Sequence, residues 1–462
     1  MTKLNSLFMK RNGTITEQMK PKNESLVKLV WPVFIEMTLT MMVGNVDQYM
    51  VKSYSENAVG AIGNANQIIN LLLIMFTVIS MSTTILVSQY IGSKQKQKLS
   101  VIYTLSIAVN LIFSIIISLI VLLFTDQIFA FMKVPQEILA DATIFIKWVG
   151  GFIFLQGLIA TFSAIFRSNR MMKDTMMISI LINIINLLGN VLLVNGFGPI
   201  PALGVAGSAI ATNISRLAGV IMFIFLFLKK FEAKISLKHL KPFPVVELNK
   251  LLGIGLPSGG ESFSFSMVMT FLMKIVNSFG TFAINTRVLT GTFSWFANSY
   301  SVAVGQASQV IIGNYMGAGE IDKVDKRVMA NLRNSIFVSI LMTVTMFLFS
   351  DFLFGLFSSD PKVLELGKKI LLVEVFLEIG KCSNVTLVRS LQATGDIKFP
   401  MMVGILSMWA VAFGLGFFLG VVCKLGLVGV WIGMALDEDI RAIIFFLRWK
   451  RGKWKTIRLI ND

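Results

Sequence analysis

Residues 101–124 read VIYTLSIAVNLIFSIIISLIVLLF, 24 positions without one charged side chain. A helix rises 1.5 Å per residue, so a run of that length reaches about 36 Å. The hydrocarbon core of a bilayer is about 30 Å thick and needs about 20 apolar residues to cross it. This stretch is a membrane-spanning helix.

The same reading extends in both directions. Spans fall near 29–50, 61–91, 100–125, 141–166, 175–196 and 204–228. A polar, basic stretch from Lys229 to Val246 follows, and then spans near 249–276, 282–314, 334–358, 366–391, 399–422 and 426–447. Of the 462 residues, 55% are hydrophobic and only 15% charged, with a mean hydropathy of +0.75. Soluble domains carry about 25% charged residues, and disordered chains are polar and poor in aromatics. The composition therefore fits an all-α polytopic membrane protein with twelve transmembrane helices. The two cysteines, Cys382 and Cys423, lie in or beside apolar runs, and they suggest neither a disulfide framework nor a zinc site. Residues 1–25 are polar and have no apolar core of a signal peptide.

The net charge of +17 is a matter of topology. In a soluble chain it would suggest nucleic acid, but here the basic residues sit in short loops between apolar runs, and no nucleic acid is expected. Of the 42 Lys and Arg, 28 fall on the side of the two termini and six on the other. Basic loops stay in the cytoplasm, which places both termini there in a multi-pass protein of the cell membrane.

The two halves repeat. Pro32 and Glu36 in WPVFIE match Pro257 and Glu261 in LPSGGE at an offset of 225, as QYIGSK at 89–94 matches NYMGAG at 314–319. RSNRMMKD at 167–174 matches RSLQATGD at 389–396, and LGVAG at 203–207 matches LGLVG at 425–429, both at 222. Six helices per repeat start both repeats on the same side. The expected architecture is two six-helix lobes related by a pseudo-twofold axis along the membrane normal. Residues 1–28 form a cytoplasmic segment, 29–228 the N-lobe, 229–248 a linker, 249–447 the C-lobe and 448–462 a basic tail. Parallel repeats of this kind build transporters with a substrate site between lobes, although duplication also occurs in membrane proteins that do not transport.

These motifs resemble the multidrug and toxic compound extrusion (MATE) family of secondary transporters over roughly residues 28–450. The carriers are PVFIE and VDQYMV in span 1, AVGAIGNANQI and LVSQYIGSK in span 2 and LGVAGSAIAT in span 6. Further along they are IGNYMGAG, SLQATGDIKFP and LGLVGVWIGMALDE. The resemblance implies alternating-access export of organic cations or other amphiphiles in exchange for H+ or Na+. No other cofactor is expected, and the protein is expected to work as a monomer in the bilayer.

A charge inside the membrane is costly and marks function by default. Glu36 and Asp47 are 11 residues apart in span 1, which leaves about 20° between them and about 16 Å along the axis. They share one face with Thr40 and Gly44. Asp47 also matches the family's first-helix aspartate implicated in ion coupling, while its position near a helix end offers a plain solvated reading. Span 5 adds Asn183, Asn186 and Asn190, which suit either ion coordination or interhelical hydrogen bonding. Many family members carry an aspartate where Asn190 stands, and this departure removes one titratable group. Glu261 lies in Gly253-x-Gly255-x-Pro257-x-Gly259-Gly260-Glu261, where proline and glycines should weaken the helix. An interrupted helix exposes carbonyls to a cation, and the resemblance matches Glu261 to a cation-binding glutamate of the C-lobe. The alternative is a simple pair with Arg287 or Lys274.

Glu36, Asp47, Glu261, Asn186 and Asn190 are therefore the candidates for ion coupling. Glu374, Glu378 and Lys381 share one face of span 10, with Glu378 and Lys381 spaced to neutralise each other. The family's second C-lobe acid falls near here in other branches, but the local register gives Lys381, so a sodium site of that type is not expected. Asp437, Glu438 and Arg441 are spaced for helix salt bridges. Tyr49, Trp295 and Tyr300 are candidate cation–π contacts. Together with Asn183, Glu374, Glu378, Lys381 and Arg287 they are the candidates for a substrate cavity. The 26 Met and 38 Phe suit adaptable apolar sites, although most such side chains face lipid or packing.

There is no GxxxxGK[ST] motif for nucleotide, and the single histidine, His239, sits in the linker. No nucleophile and base pattern points to an enzyme. The rival readings are a flippase for lipid-linked precursors, kept open by embedded Lys147, Arg216, Lys274, Arg287, Lys381 and Arg441, and a channel.

Overall fold

The structure, a computed structural model, describes residues 26–196, 198, 199 and 201–460. The side chains at 45, 47–49, 53 and 56 lie outside that description, and those of Asp47 and Tyr49 are among them. Every regular element among the described residues is helical. In the first half α1 is Leu26–Tyr54, α2 Glu56–Gly92, α3 Lys96–Met132, α4 Gln136–Gly151, α5 Phe154–Ser168, α6 Met172–Leu193 and α7 Gly204–Lys230. A short 3-10 turn, Leu237–Leu240, sits in the basic stretch. In the second half α8 is Val245–Asn277, α9 Thr281–Gly317, α10 Ile321–Leu348, α11 Ser350–Gly355, α12 Pro361–Thr394, α13 Lys398–Ser407 and α14 Gly426–Lys450. A 3-10 turn at Lys453–Thr456 ends the chain's regular structure.

These helices fall on the twelve expected spans. Seven are long and apolar enough to cross a membrane, or eight when the pair α4 and α5 counts as one. The remaining spans, α8, α9, α12 and α14, carry inward polar and charged side chains that dilute their hydropathy. The lipid-facing surface is plain on α3, where Ile112, Ile116, Leu119 and Leu123 are exposed in one helical stripe.

Local chemistry sets the helix ends. Asp360 caps α12 by accepting from the Lys362 amide at 2.9 Å, with Pro361 in the first turn. Gly395, at φ +102°, ends it in the left-handed conformation. Three departures from the sequence expectation stand out. The single run at 141–166 is two helices bent by 44°, because Gly150 and Gly151 press against Val121 and Leu122 of α3 where a side chain would clash. The expected weakness around Pro257 is absent, since α8 runs unbroken through it. Gly253, four residues earlier, carries no Cβ, and the Ser258 hydroxyl donates to the Ile254 carbonyl at 3.1 Å. The third is span 11, which widens after α13 into π-helix over Met408–Leu415 and Phe418–Val422.

The chain divides into two compact units. Among the described residues the first comprises 26–28, 35–252 and 313–319, and the second 29–34, 253–312 and 320–460. The core of the first packs Ala61, Ala65 and Phe76 of α2 against Val121 and Phe129 of α3 and Ile146 of α4. The core of the second packs Leu272 of α8 and Leu377 of α12 against Val430 and Trp431 of α14.

The repeat is visible inside each unit. In the first, a Cβ on Gly207 would lie 2.3 Å from the Leu193 carbonyl oxygen. In the second, a Cβ on Gly429, its mate, would lie 2.7 Å from the Leu419 carbonyl oxygen. The last turn of α9 belongs to the first unit and makes a reciprocal crossing there. A Cβ on Gly317 would stand 1.9 Å from the Gln89 carbonyl oxygen, and one on Gly92 2.1 Å from that of Asn314. Gly92 and Gly317 are repeat mates, as are Gln89 and Asn314, so only glycine permits the approach from either side.

Candidate functional site

In the first unit three helices converge on Glu36. Its Oε1 accepts from Arg167 Nη2 of α5 at 2.8 Å and from Ser179 Oγ of α6 at 2.8 Å. Its Oε2 is buried without a hydrogen-bond partner. One helical turn on, the Thr40 hydroxyl donates to the Glu36 carbonyl at 2.8 Å, and the Asn183 amide donates to Thr40 Oγ1 at 3.5 Å. Ser179, Asn183, Asn186 and Asn190 thus form one polar stripe on α6, the first two of them facing α1. Deeper in the unit, Asn190 donates to Asn186 Oδ1 at 3.4 Å, and Asn186 donates to Thr212 of α7 at 3.3 Å. The amides are tied to one another and to α7. Gly44 of α1 borders open space.

The second unit is more heavily charged. Lys381 Nζ donates to Glu378 Oε1 at 2.7 Å, and Glu378 is fully buried. Arg441 pairs with Asp437 at 2.6 Å and with Glu438 at 2.7 Å. Ser407 donates to Asp437 Oδ1 at 2.5 Å, and Asn384 donates to Glu438 Oε2 at 2.5 Å. Glu374, buried, accepts from the Trp431 indole at 2.6 Å. Glu261 of α8 packs its carboxylate against Gly404 of α13, where a Cβ would lie 3.0 Å from Oε1. It feels the charges of Arg441 and Arg389. Asp439 presses on Gly380 of α12, its Oδ1 2.5 Å from where a Cβ would stand.

The cluster thus holds six carboxylates, at 261, 374, 378, 437, 438 and 439, and three cations, at 381, 389 and 441. Among the described residues Glu261, Glu374 and Asp439 form no ion pair. The second oxygen of Glu378 is buried without a hydrogen-bond partner.

The other candidates lie elsewhere. Arg287 donates to the Met273 sulfur at 2.9 Å, so it is not the partner of Glu261. Tyr300 donates its hydroxyl to Asn334 at 2.8 Å and meets Phe34 edge-on. Trp295 stacks edge-on with Phe296. Asp47 and Tyr49 lie on α1 with side chains outside the described residues. Sequence reasoning did not pair Glu36 with Arg167 or set Arg389 beside Glu261. The signal was present, because Glu36 and Glu261 are mates and so are Arg167 and Arg389. The repeat therefore carries the same glutamate and arginine into both units.

The MatE family model matches residues 32–192 and 257–418, two segments that begin 225 positions apart like the repeat itself. The chain is 36% identical over 442 residues to a protein named uncharacterized transporter YisQ from Bacillus subtilis, covering 96% of this chain and 97% of that one. It is 27% identical over 465 residues to a probable multidrug resistance protein NorM from Thermotoga maritima, covering 97% and 96%. The fold superposes on a crystal structure of MATE in the bent conformation with a TM-score of 0.87 at 18% identity, covering 95% and 97% of the two chains. It superposes on a MOP superfamily transporter from Pyrococcus furiosus with a TM-score of 0.85 at 19% identity, covering 94% and 96%.

Proposed function

Because this chain belongs to the multidrug and toxic compound extrusion family, we propose that it exports organic cations or amphiphilic drugs in exchange for H+ or Na+. The carboxylates of the second unit carry the coupling ion. The observation behind this reading is the charge balance of one cluster in that unit, where six carboxylates face three cations. Buried uncompensated charge costs several kcal/mol per ion, and Glu374 and Glu378 are buried, so protons or a bound cation there would relieve the excess. The unpaired Glu261, Glu374 and Asp439, and the free oxygen of Glu378, are where they would bind.

The first unit is built differently. Glu36 is matched by Arg167, and the α6 stripe holds amides where a second acid would be needed. Asp47 remains its candidate for coupling, with Asn186 and Asn190 as neutral neighbours. The candidates for substrate contact are Asn183 and Tyr49 in the first unit and, taken separately, Trp295, Tyr300 and the charged face of α12 in the second. Inverting a two-state equilibrium from 1:99 to 99:1 takes about 5.5 kcal/mol. Filling or emptying one buried carboxylate is of that order, so ion binding can drive the switch between outward-open and inward-open states.

The names of the multidrug relatives support drug export over a flippase for lipid-linked precursors. The basic side chains of the second unit support it too, since Lys381 and Arg441 are engaged by acids rather than free to hold a phosphate. The cell membrane, with both termini cytoplasmic, is the proposed location. The test is dye efflux from proteoliposomes with proton and sodium gradients imposed separately. Accumulation driven by one of the two supports the proposal, and accumulation indifferent to both refutes it.

A further inference from the structure

We infer that the C-terminal segment is a binding surface for anionic phospholipid headgroups, built where α14 leaves the bilayer. Along α14, Leu436, Ile440, Ile443 and Leu447 are exposed. Their spacing of four, three and four residues makes one stripe on the helix, and an exposed apolar stripe on a spanning helix faces acyl chains. The next positions on that stripe are Lys450 and Arg451, both exposed. Lys453, Lys455 and Arg458 follow, also exposed, and no acidic residue occurs from 450 to 460. The cations therefore begin one turn beyond the last acyl-facing side chain, at the depth of lipid phosphates.

The segment is pinned in place. Trp454 is fully buried, its ring stacks on Trp449 at 4.3 Å, and its indole donates to the Trp449 carbonyl at 3.0 Å. Trp449 in turn donates to Asp325 of α10 at 2.8 Å. Gly452, at φ +71°, makes the turn out of α14. Ile457 and Leu459 close over Gly395, where a Cβ would lie 2.9 and 2.8 Å from them. Arg448 is spent on Asp396 at 2.7 Å and on the Phe399 ring. Among the described residues the five exposed cations pair with no acid: Lys450 lies over Phe446 and Lys455 over Trp454, and Arg458 donates only to the Lys455 and Ile457 carbonyls. A fixed row of unmatched charge beside a lipid-facing stripe complements an anionic leaflet, and each Lys or Arg at such a surface strengthens binding about fivefold.

The experiment uses the full chain in bilayers of equal parts phosphatidylglycerol and phosphatidylcholine. Native mass spectrometry reads the headgroups retained after gentle solubilisation. The unmodified protein is expected to hold phosphatidylglycerol at least about fivefold over phosphatidylcholine, and salt should reduce the ratio by screening. A variant with Lys450, Arg451, Lys453, Lys455 and Arg458 changed to Gln should fall to the bulk ratio. A second variant changes Lys52, Lys133, Lys362, Lys369 and Lys424, exposed elsewhere on the chain, to Gln and should keep the original ratio. Unchanged enrichment in the first variant, or an equal fall in both, overturns the inference.

Discussion

Glu374 and Glu378 stand one turn apart on α12, both buried, and are held in different ways. Glu378 accepts a hydrogen bond from Lys381 at 2.7 Å, while Glu374 accepts one from the Trp431 indole at 2.6 Å. One carboxylate is hydrogen-bonded to a cation and its neighbour to a dipole. That inequality, repeated across α8, α12 and α14, leaves this cluster with more carboxylates than cations.

The Glu378–Lys381 pair should behave as a buried ion pair. Removing one partner of such a pair costs about 3–5 kcal/mol, because the other charge is left uncompensated. Lys381→Met should therefore lower thermal stability in detergent sharply. The double variant Lys381→Met with Glu378→Gln should recover most of the loss. A double variant as unstable as the single would show that the charge pair is not what matters there.

The same logic applies to Glu36 and Arg167 in the first unit. Arg167→Ala should destabilise the fold by a similar amount, about 3 kcal/mol or more, and Glu36→Gln should partly rescue it. A double-mutant cycle read by thermal unfolding measures the coupling. Additive losses from the two changes would rule out the pairing as the source.

Much of this arrangement was legible in the sequence, and the reasons differ by feature. The spans follow from run length alone, and the repeat from short motifs at fixed offsets. The glycines of the two LGxxG motifs appear at matching close approaches, as a duplicated packing demands. The Glu378–Lys381 pair and the Arg441 pairs were also readable, because helical spacing fixes neighbours three and four apart. The Glu36–Arg167 contact was not, since it joins residues 131 positions apart and depends on how α5 leans on α1. Span 4 reads as one run in hydropathy, yet its bend comes from contacts of Gly150 and Gly151 with another helix. Proline and glycine around 257 promised a broken helix, but α8 stays continuous, with Gly253 four residues before the proline and the Ser258 hydroxyl donating to the Ile254 carbonyl.

The crossing of α2 and α9 should tolerate no side chain. Gly317→Ala would put a methyl 1.9 Å from a backbone carbonyl oxygen, and overpacking of that kind costs about 1–3 kcal/mol. Gly291→Ala, where nothing lies within 4 Å, should be neutral or slightly stabilising. Equal melting temperatures for the two variants would contradict the close approach.

Outside the membrane, Glu247 begins α8 and receives a hydrogen bond from Lys98. Burial pushes its carboxyl up, but the hydrogen bond and charge of Lys98, with the charge of Lys250, outweigh that and hold it below the ordinary value of 4.5. A depressed carboxylate stabilises the fold above its unfolded pKa, and the contribution fades as pH falls through the folded value. Glu247→Gln should therefore be less stable than the parent at neutral pH. The gap should close as the pH drops below about 4.5. A gap that stays constant down to strong acid would show that Glu247 acts through packing.

The most direct test of the central claim is ion-driven dye accumulation in proteoliposomes containing the parent or a Glu261→Gln/Glu378→Gln variant. Asp47→Asn is run in parallel as the probe of the first unit. The parent should accumulate dye against its gradient when a proton or sodium gradient is imposed. The double variant should lose that accumulation while still exchanging dye downhill. Full gradient-driven accumulation by the double variant would contradict the assignment of the coupling ion to the second unit, and its loss in Asp47→Asn alone would move the site to the first.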